Sequence, residues 1–299
     1  MEESSYPTRP VLGRWLALDL RPLRPLTLLG PASAAFCGAI ASGGLNQQWR
    51  SWVVLILVIL LCDVLIGAWR ASWLHADWRV ALPRNLASAR IWYRLPDDVP
   101  SGWWARLGKA ITRRVMLVRN VIWPLVDSEI IGMLIAGLFA VCLAALFNPI
   151  ALALTVVALV LALIEGQVGD RHTLGLRALI EFTFPWLIAQ SAFEYFSYPS
   201  LFFVLLLTVI YRALLGLVHE RQERWQVWNN LAHLLIALTL FASYAPAQAA
   251  LVTLALLAQV LWQIRFQTEQ ATREYVQYIQ SYVLATMLVV SISLWIAPR

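Results

Sequence analysis

Charged side chains are scarce in this sequence. Asp, Glu, Lys and Arg make up 13% of the 299 residues, whereas soluble domains carry roughly 25%. This scarcity argues against a soluble globular domain. Apolar residues instead come in runs of about 18 to 22 residues, the length at which a helix crosses a hydrocarbon layer of ~30 Å. Together with a mean hydropathy of +0.68, the pattern predicts a polytopic helical membrane protein.

Cysteine is also rare. Cys37, Cys62 and Cys142 lie inside apolar runs and have no spacing typical of a disulfide or a metal site, so we interpret them as small buried residues. The chain has 23 basic residues, of which only Lys109 is a lysine, and a net charge of +6. In a membrane protein such an excess reports topology and contact with anionic headgroups rather than nucleic acid.

The apolar runs predict about nine transmembrane helices in a single membrane domain, 1–299, with an all-α fold. The predicted spans are 26–44, 51–69, 128–147, 149–165, 177–195, 199–217, 229–245, 247–264 and 278–296. Short turns marked by Pro or polar residues join several of these helices into hairpins.

The distribution of basic residues predicts the orientation of the bundle. With the N-terminus inside, the inner segments and span ends hold 21 Lys and Arg, and only Arg50 and Arg299 fall outside. Cytoplasmic loops carry such an excess. The sequence therefore predicts N-in, C-out topology with cytoplasmic polar loops, in what would be a bacterial inner membrane.

The loop 70–127 is much longer than the others, and its part 103–122 has the pattern of an interfacial amphipathic helix. Trp104, Leu107 and Ile111 belong to its apolar stripe, opposite Arg106, Lys109 and Arg113. Two interpretations stay open, a basic helix anchored to headgroups and a lid over an anionic-lipid site.

Two acids inside apolar runs are the first candidate functional residues. Asp63 lies in span 2 and Glu181 in span 5. A carboxylate at such a depth is costly unless it is paired, protonated or open to a cavity. Arg177, one helical turn before Glu181, is its natural partner. A transporter would fit these charges, but no internal helix break is visible in the sequence.

Two polar stretches between spans add further candidates. "EGQVGDRHTLGLR", 165–177, contains Glu165, Asp170 and Arg171, which suit either a solvated loop or a binding site. "HERQER", 219–224, places Glu220 and Glu223 on one helical face. They suit either a solvated helix end or contact with a metal or a substrate.

Nine helices with polar loops after the even-numbered spans is a plan similar to that of the UbiA-type membrane prenyltransferases. The stretch 20–44, with an Arg-Pro pair before a run of small residues, resembles the first helix of that family. The stretches 169–193 and 273–290 resemble its fifth and final helices. The resemblance is diffuse and runs from about residue 14 to the C-terminus.

The resemblance implies an enzyme that transfers a prenyl group from a diphosphate, with Mg²⁺ held by two acid motifs. On the first motif, Cys62 stands for Asn, Asp63 for the first Asp, Ile66 for the second and Arg70 for the third. The second motif falls on a stretch containing three candidates. These are His219, Glu220 and Glu223.

The matched positions define a candidate site. Asp63, Glu220 and Glu223 would be catalytic, with Asp63 and Glu223 as metal ligands. Because Ile66 and Arg70 cannot bind Mg²⁺, a reduced or altered metal site is expected, and Arg70 could itself supply a fixed positive charge to a phosphate oxygen. The remaining substrate-binding candidates are Arg70, Asp170, Arg171, Arg177, Glu181 and His219.

Two functional hypotheses follow. In the first, the chain binds a polyprenyl or related amphiphile and transfers the prenyl group to an acceptor, as a prenyltransferase. In the second, it is a catalytically silent lipid- or pigment-binding or assembly subunit of a membrane complex. Both predict a lipid or isoprenoid as the ligand, and the second also predicts a protein partner in the membrane.

Overall fold

A computed structural model gives the positions of residues 26–45, 48–75, 123–166, 170–220, 224–265 and 269–297. Side chains are described for 26–45, 48–74, 130–166, 173–220, 224–264 and 274–297. The predicted interfacial helix at 103–122 lies outside these residues, as do Glu223 and the side chains of Asp170 and Arg171.

The described chain is helical throughout and contains no strand. The α-helices are α1 (Pro31–Ala41), α2 (Trp49–Ile59), α3 (Ile66–His75), α4 (Trp123–Phe147), α5 (Pro149–Glu165), α6 (Asp170–Ala178), α7 (Phe184–Ala192), α8 (Tyr198–His219), α9 (Arg224–Ala242), α10 (Pro246–Arg265) and α11 (Glu269–Ile296). Two π-helical segments, π1 (Leu60–Leu65) and π2 (Leu179–Thr183), join α2 to α3 and α6 to α7. The described parts of the chain therefore form nine continuous helical runs.

Five of these runs are long and apolar enough to cross a membrane. They are Trp49–Leu74, Ile130–Phe147, Tyr198–His219, Pro246–Ile264 and Glu274–Ile296. Two further apolar helices, α1 and α5, are shorter. The prediction of an all-α protein with helices that can span a membrane is thus confirmed.

Proline and a capping side chain begin the helices at two of the predicted hairpin turns. The Asn148 side chain accepts a hydrogen bond from the Ala151 N–H before α5, whose first residue is Pro149. Ser197 caps α8 in the same way through the Ser200 N–H. Such caps satisfy backbone donors that the first turn of a helix leaves free, which is why the chain can reverse in so few residues.

Small residues place α1 at the centre of the bundle. Ala34, Cys37 and Ala41 pack into one core cluster with α8, α9 and α11. Ala35 and Ala39 pack into a second cluster with α2, π1, α4 and α5. Such residues let helix backbones approach closely in membranes, where packing rather than hydrophobicity drives association. Both halves of the bundle therefore meet on α1.

The outer surface is apolar, as contact with lipid tails requires. An open groove of about 470 Å³ between α9 and α10 is lined mainly by side chains such as Leu238 and Leu254. Along α4, Leu134, Leu138 and Leu146 are all exposed. Single exposed apolar residues are ordinary in any protein, but rows of them on successive helices indicate a lipid-facing belt.

The closest backbone approach in α1 gives a test of this packing. A Cβ atom at Gly38 would lie 2.5 Å from the backbone oxygen of Trp186 on α7, so Gly38→Ala is expected to destabilise the bundle by about 1–3 kcal/mol. At Gly132 on α4 the nearest atom would be Ser72 Oγ at 3.8 Å. Gly132→Ala should therefore be neutral or gain up to ~1 kcal/mol from helix propensity.

Thermal unfolding of the detergent-solubilised variants measures the difference. Equal stabilities of the two alanine variants would contradict the packing of α1 on α7.

Candidate functional site

Glu181 is buried within the irregular helical segment π2. The Phe184 N–H reaches back five residues to the Leu179 carbonyl there, whereas an α-helix would use a four-residue spacing. Pro185 follows directly and has no N–H to offer the Glu181 carbonyl, so the regular ladder cannot continue through this point. Pro185 is the sequence signal for this irregularity, where an unbroken span was expected.

Arg70 on α3 binds two carboxylates from two other helices. Its Nε and Nη2 donate to the Glu165 carboxylate at the end of α5, at 2.5 and 2.7 Å. Its Nη1 donates to Glu181 Oε1 at 2.6 Å. The bidentate geometry with Glu165 is the strongest form of such a pair. Arg70 therefore connects α3, α5 and π2.

Glu181 also accepts hydrogen bonds from its own helical run and from α8. Arg177 Nε lies 3.1 Å from Glu181 Oε1, one turn away on the same run. The Tyr211 hydroxyl donates to Glu181 Oε2 at 2.6 Å, and its ring stacks on Phe182 with a centroid distance of 5.4 Å. The expectation that Glu181 is buried and paired with Arg177 is confirmed.

The four charges in this ion network, Arg70, Arg177, Glu165 and Glu181, sum to zero. Both carboxylate side chains are 4% exposed and both arginine side chains 14%. Charges so far from water persist only when each has a partner, because desolvation costs several kcal/mol per ion. The two carboxylate side chains are therefore more deeply buried than the two arginine side chains.

Arg177 is only partly used by this network. Its Nε is bonded to Glu181, and none of the described residues accepts a hydrogen bond from its Nη1 or Nη2 atoms. Two parallel donors at the end of a guanidinium match the oxygens of a carboxylate or a phosphate. Arg177 is therefore the network residue best placed to bind an anion, whereas three nitrogen atoms of Arg70 are already engaged.

A second basic group lies on α8 and α9, with Arg212 inside the sixth predicted span and Arg224 after it. The guanidinium carbons of Arg212 and Arg224 lie 5.4 and 5.0 Å from the ring centroid of Trp225. Arg224 also donates to Glu220 at 2.7 Å, as does the Trp225 indole at 3.0 Å. Hydrogen bonding to Arg224 lowers the pKa of Glu220. His219 Nδ1 lies 2.9 Å from the Leu215 carbonyl within its own helix.

Asp63 lies in π1, half-buried between α2 and α3. The positions before and after it in the motif, Cys62 and Ile66, are both buried in the core. Among the residues that the structure describes, no three His, Cys, Asp or Glu side chains are grouped closely enough to hold a metal ion. Glu223, one of the two predicted Mg²⁺ ligands, lies outside the described residues, so convergence of Asp63 with Glu220 and Glu223 stays a prediction.

A buried polar ladder joins α9, α10 and α11. Asn229 donates to Gln259 at 2.9 Å, and the Gln259 amide lies 3.1 Å from His233 Nε2. His233 Nδ1 lies 2.9 Å from the Asn229 carbonyl, so Nδ1 donates there and Nε2 is left to accept from the Gln259 amide. In a second layer, Asn230 exchanges hydrogen bonds with Gln263, which also donates to Tyr275.

Sequence reasoning missed several members of these groups. The sequence does not decide whether Glu165 belongs to a solvated loop or to a binding site. It gives no sign of Tyr211, because nothing in an apolar run shows which helix an aromatic hydroxyl will face. The ladder did carry a signal. Asn229 with His233 and Gln259 with Gln263 are both spaced four residues apart in apolar runs, so each pair shares one helical face.

Removing the central cation tests whether the network holds the bundle together. Arg70→Met leaves Glu165 and Glu181 short of a partner in a buried site, and we expect a loss of roughly 3–5 kcal/mol. The control is Arg224→Met, since Arg224 is 59% exposed in its pair with Glu220. An exposed pair is worth about 1 kcal/mol or less. Denaturation of both variants in the same detergent gives the comparison, and similar small losses would show that the network is not a structural tie.

Comparison with known proteins gives no match. No family model matches the chain, and no curated protein or solved structure is significantly similar to it. The similarity to the UbiA-type plan accordingly rests on the stretches quoted above.

Proposed function

We propose that this chain is an integral membrane protein that binds an amphiphile with an anionic headgroup at the cytoplasmic end of a nine-crossing, UbiA-like bundle. The observation that carries the proposal is the state of Arg177. Its terminal nitrogens are uncommitted among the described residues, although its charge is one of the four in the network that sum to zero. An added anion would meet a free cationic edge without disturbing the Arg70–Glu165 pair.

The headgroup in this proposal carries a phosphate, and the tail is a polyprenyl or similar chain in the surrounding lipid. A planar guanidinium presents paired donors to two oxygens of one phosphate. Arg70 does not serve as a second free cation, because Glu165 and Glu181 already take its donors. The network therefore supports binding of one anionic group rather than ionisation of a diphosphate.

Prenyl transfer is the second candidate function, and one observation favours it. Asp63 lies in a π-helical segment, and such segments occur frequently at functional sites. In this alternative Asp63 and Glu223 would hold Mg²⁺. The purified protein would be given labelled prenyl diphosphate, Mg²⁺ and aromatic acceptors. Product that is lost in Asp63→Ala would establish transfer and overturn a purely binding role.

The proposed bacterial inner-membrane topology predicts the accessible side of two residues. Tyr244, between α9 and α10, is 96% exposed, and Arg224 begins α9. In this topology Tyr244 would face the outside and Arg224 the inside. Single cysteines at these positions, in a background with Cys37, Cys62 and Cys142 replaced by Ala, would be labelled with a membrane-impermeant maleimide. We expect labelling of intact cells at 244 only, and at 224 only after permeabilisation. Labelling of both positions from the same side of the membrane would exclude the nine-crossing plan.

Arg177→Gln tests the binding site. We expect affinity for a labelled polyprenyl monophosphate to fall about tenfold, since a charge-assisted hydrogen bond is worth roughly 1.5–3 kcal/mol. Arg50→Gln is the matched control, because it removes the same charge from an exposed position on the predicted outer side. Equilibrium binding in neutral detergent, with the uncharged polyprenol as a second ligand, separates headgroup from tail. Equal binding by wild type and Arg177→Gln would reject the proposed site.

A further inference from the structure

Glu181 Oε1 is shared between two cations that it binds with different geometry. Arg70 Nη1 is 2.6 Å away and belongs to a guanidinium that also holds Glu165 at two points. Arg177 Nε is 3.1 Å away and makes a single contact. A monodentate contact at the longer distance is the weaker of the two. The Arg177–Glu181 contact is therefore the part of the network that breaks most easily.

An anion at the free edge of Arg177 would lie close to the Glu181 carboxylate, because both face the same guanidinium. Two like charges that face one guanidinium repel each other, and this repulsion is screened less at a buried site than at an exposed one. Among the described residues, Arg70 from α3 and Tyr211 from α8 also bond to Glu181, and Glu165 from α5 acts on it through Arg70. These hold Glu181 in place, so it cannot swing away to relieve the repulsion.

We propose that Glu181 is a built-in competitor of the headgroup for Arg177 and sets how tightly the protein holds an anionic amphiphile. The inference rests on the proposed function and adds its regulation. In the structure Arg177 donates through Nε to Glu181. When the headgroup binds the terminal nitrogens of Arg177, its negative charge repels Glu181 and the Arg177–Glu181 contact weakens, while Arg70 and Tyr211 keep Glu181 and the bundle in place.

The structure offers a charge-matched pair of variants. Glu181→Gln and Glu165→Gln each remove one negative charge from a buried carboxylate bound to Arg70, but only Glu181 contacts Arg177. A glutamine at 181 keeps an oxygen that accepts from Arg70. The opposite amide group can donate to the Tyr211 hydroxyl oxygen. Both variants are therefore expected to fold.

The experiment measures affinity for labelled polyprenyl monophosphate in neutral detergent. We expect Glu181→Gln to bind about tenfold more tightly than wild type, and Glu165→Gln to change affinity by less than about threefold. The gain should vanish in Glu181→Gln/Arg177→Gln, and uncharged polyprenol should bind all variants alike. Glu181→Asp keeps the negative charge but moves it away from Arg177, so it should give an intermediate gain in affinity. It replaces the glutamine variant in the experiment if that variant does not fold.

The outcomes separate this inference from the proposed function. If Arg177→Gln weakens binding but neither Glu181 variant strengthens it, the competitor role is overturned and the binding site stands. An equal gain in Glu165→Gln would assign the effect to total charge and also overturn it. Equal affinity of wild type and Arg177→Gln for polyprenyl monophosphate would instead reject the binding site itself.

Discussion

Burial of the Arg70 guanidinium between two carboxylates is the interaction on which this end of the bundle depends. Glu165 and Glu181 come from different helices, and neither could stay charged in its buried position without a cation beside it. The bidentate pair with Glu165 fixes α3 against α5, and the third donor fixes π2. Tyr211 extends the same hydrogen-bonded group to α8. Four helical runs are thereby held in one arrangement by a cluster whose named charges cancel.

Close packing of small residues supplies the frame around that cluster. The alanines of α1 belong to both core clusters, and Gly38 lets the α7 backbone approach at Trp186. The ladder of Asn229, Gln259 and His233 joins α9 to α10 through amide and imidazole groups. Interhelical hydrogen bonds of this kind contribute about 1 kcal/mol each in membranes. The bundle thus uses ion pairs at one site and neutral amides at the other.

Neutralisation within the network is also what gives the site its proposed chemistry. Arg70 occupies the position that matches the third acid of the first motif. Because its donors are bonded to two carboxylates, it contributes neither a metal ligand nor a free cation. None of the described residues accepts a hydrogen bond from the terminal nitrogens of Arg177, whereas Arg212 lies over Trp225 and interacts electrostatically with Glu220. The accessible charge is therefore cationic and suits a single anionic headgroup. The buried charge is balanced and suits structural support.

The sequence by itself determined the class of the protein, because long apolar runs with few charges can only be accommodated as membrane helices. It also predicted the pairing of Glu181 with Arg177, since a four-residue spacing brings two side chains together on any helix. Only the tertiary structure decided that Arg70 meets Glu165 and Glu181, residues 95 and 111 positions away. Contacts between helices depend on rotation and depth, which α1 packing and the π segments set, and no local spacing encodes them.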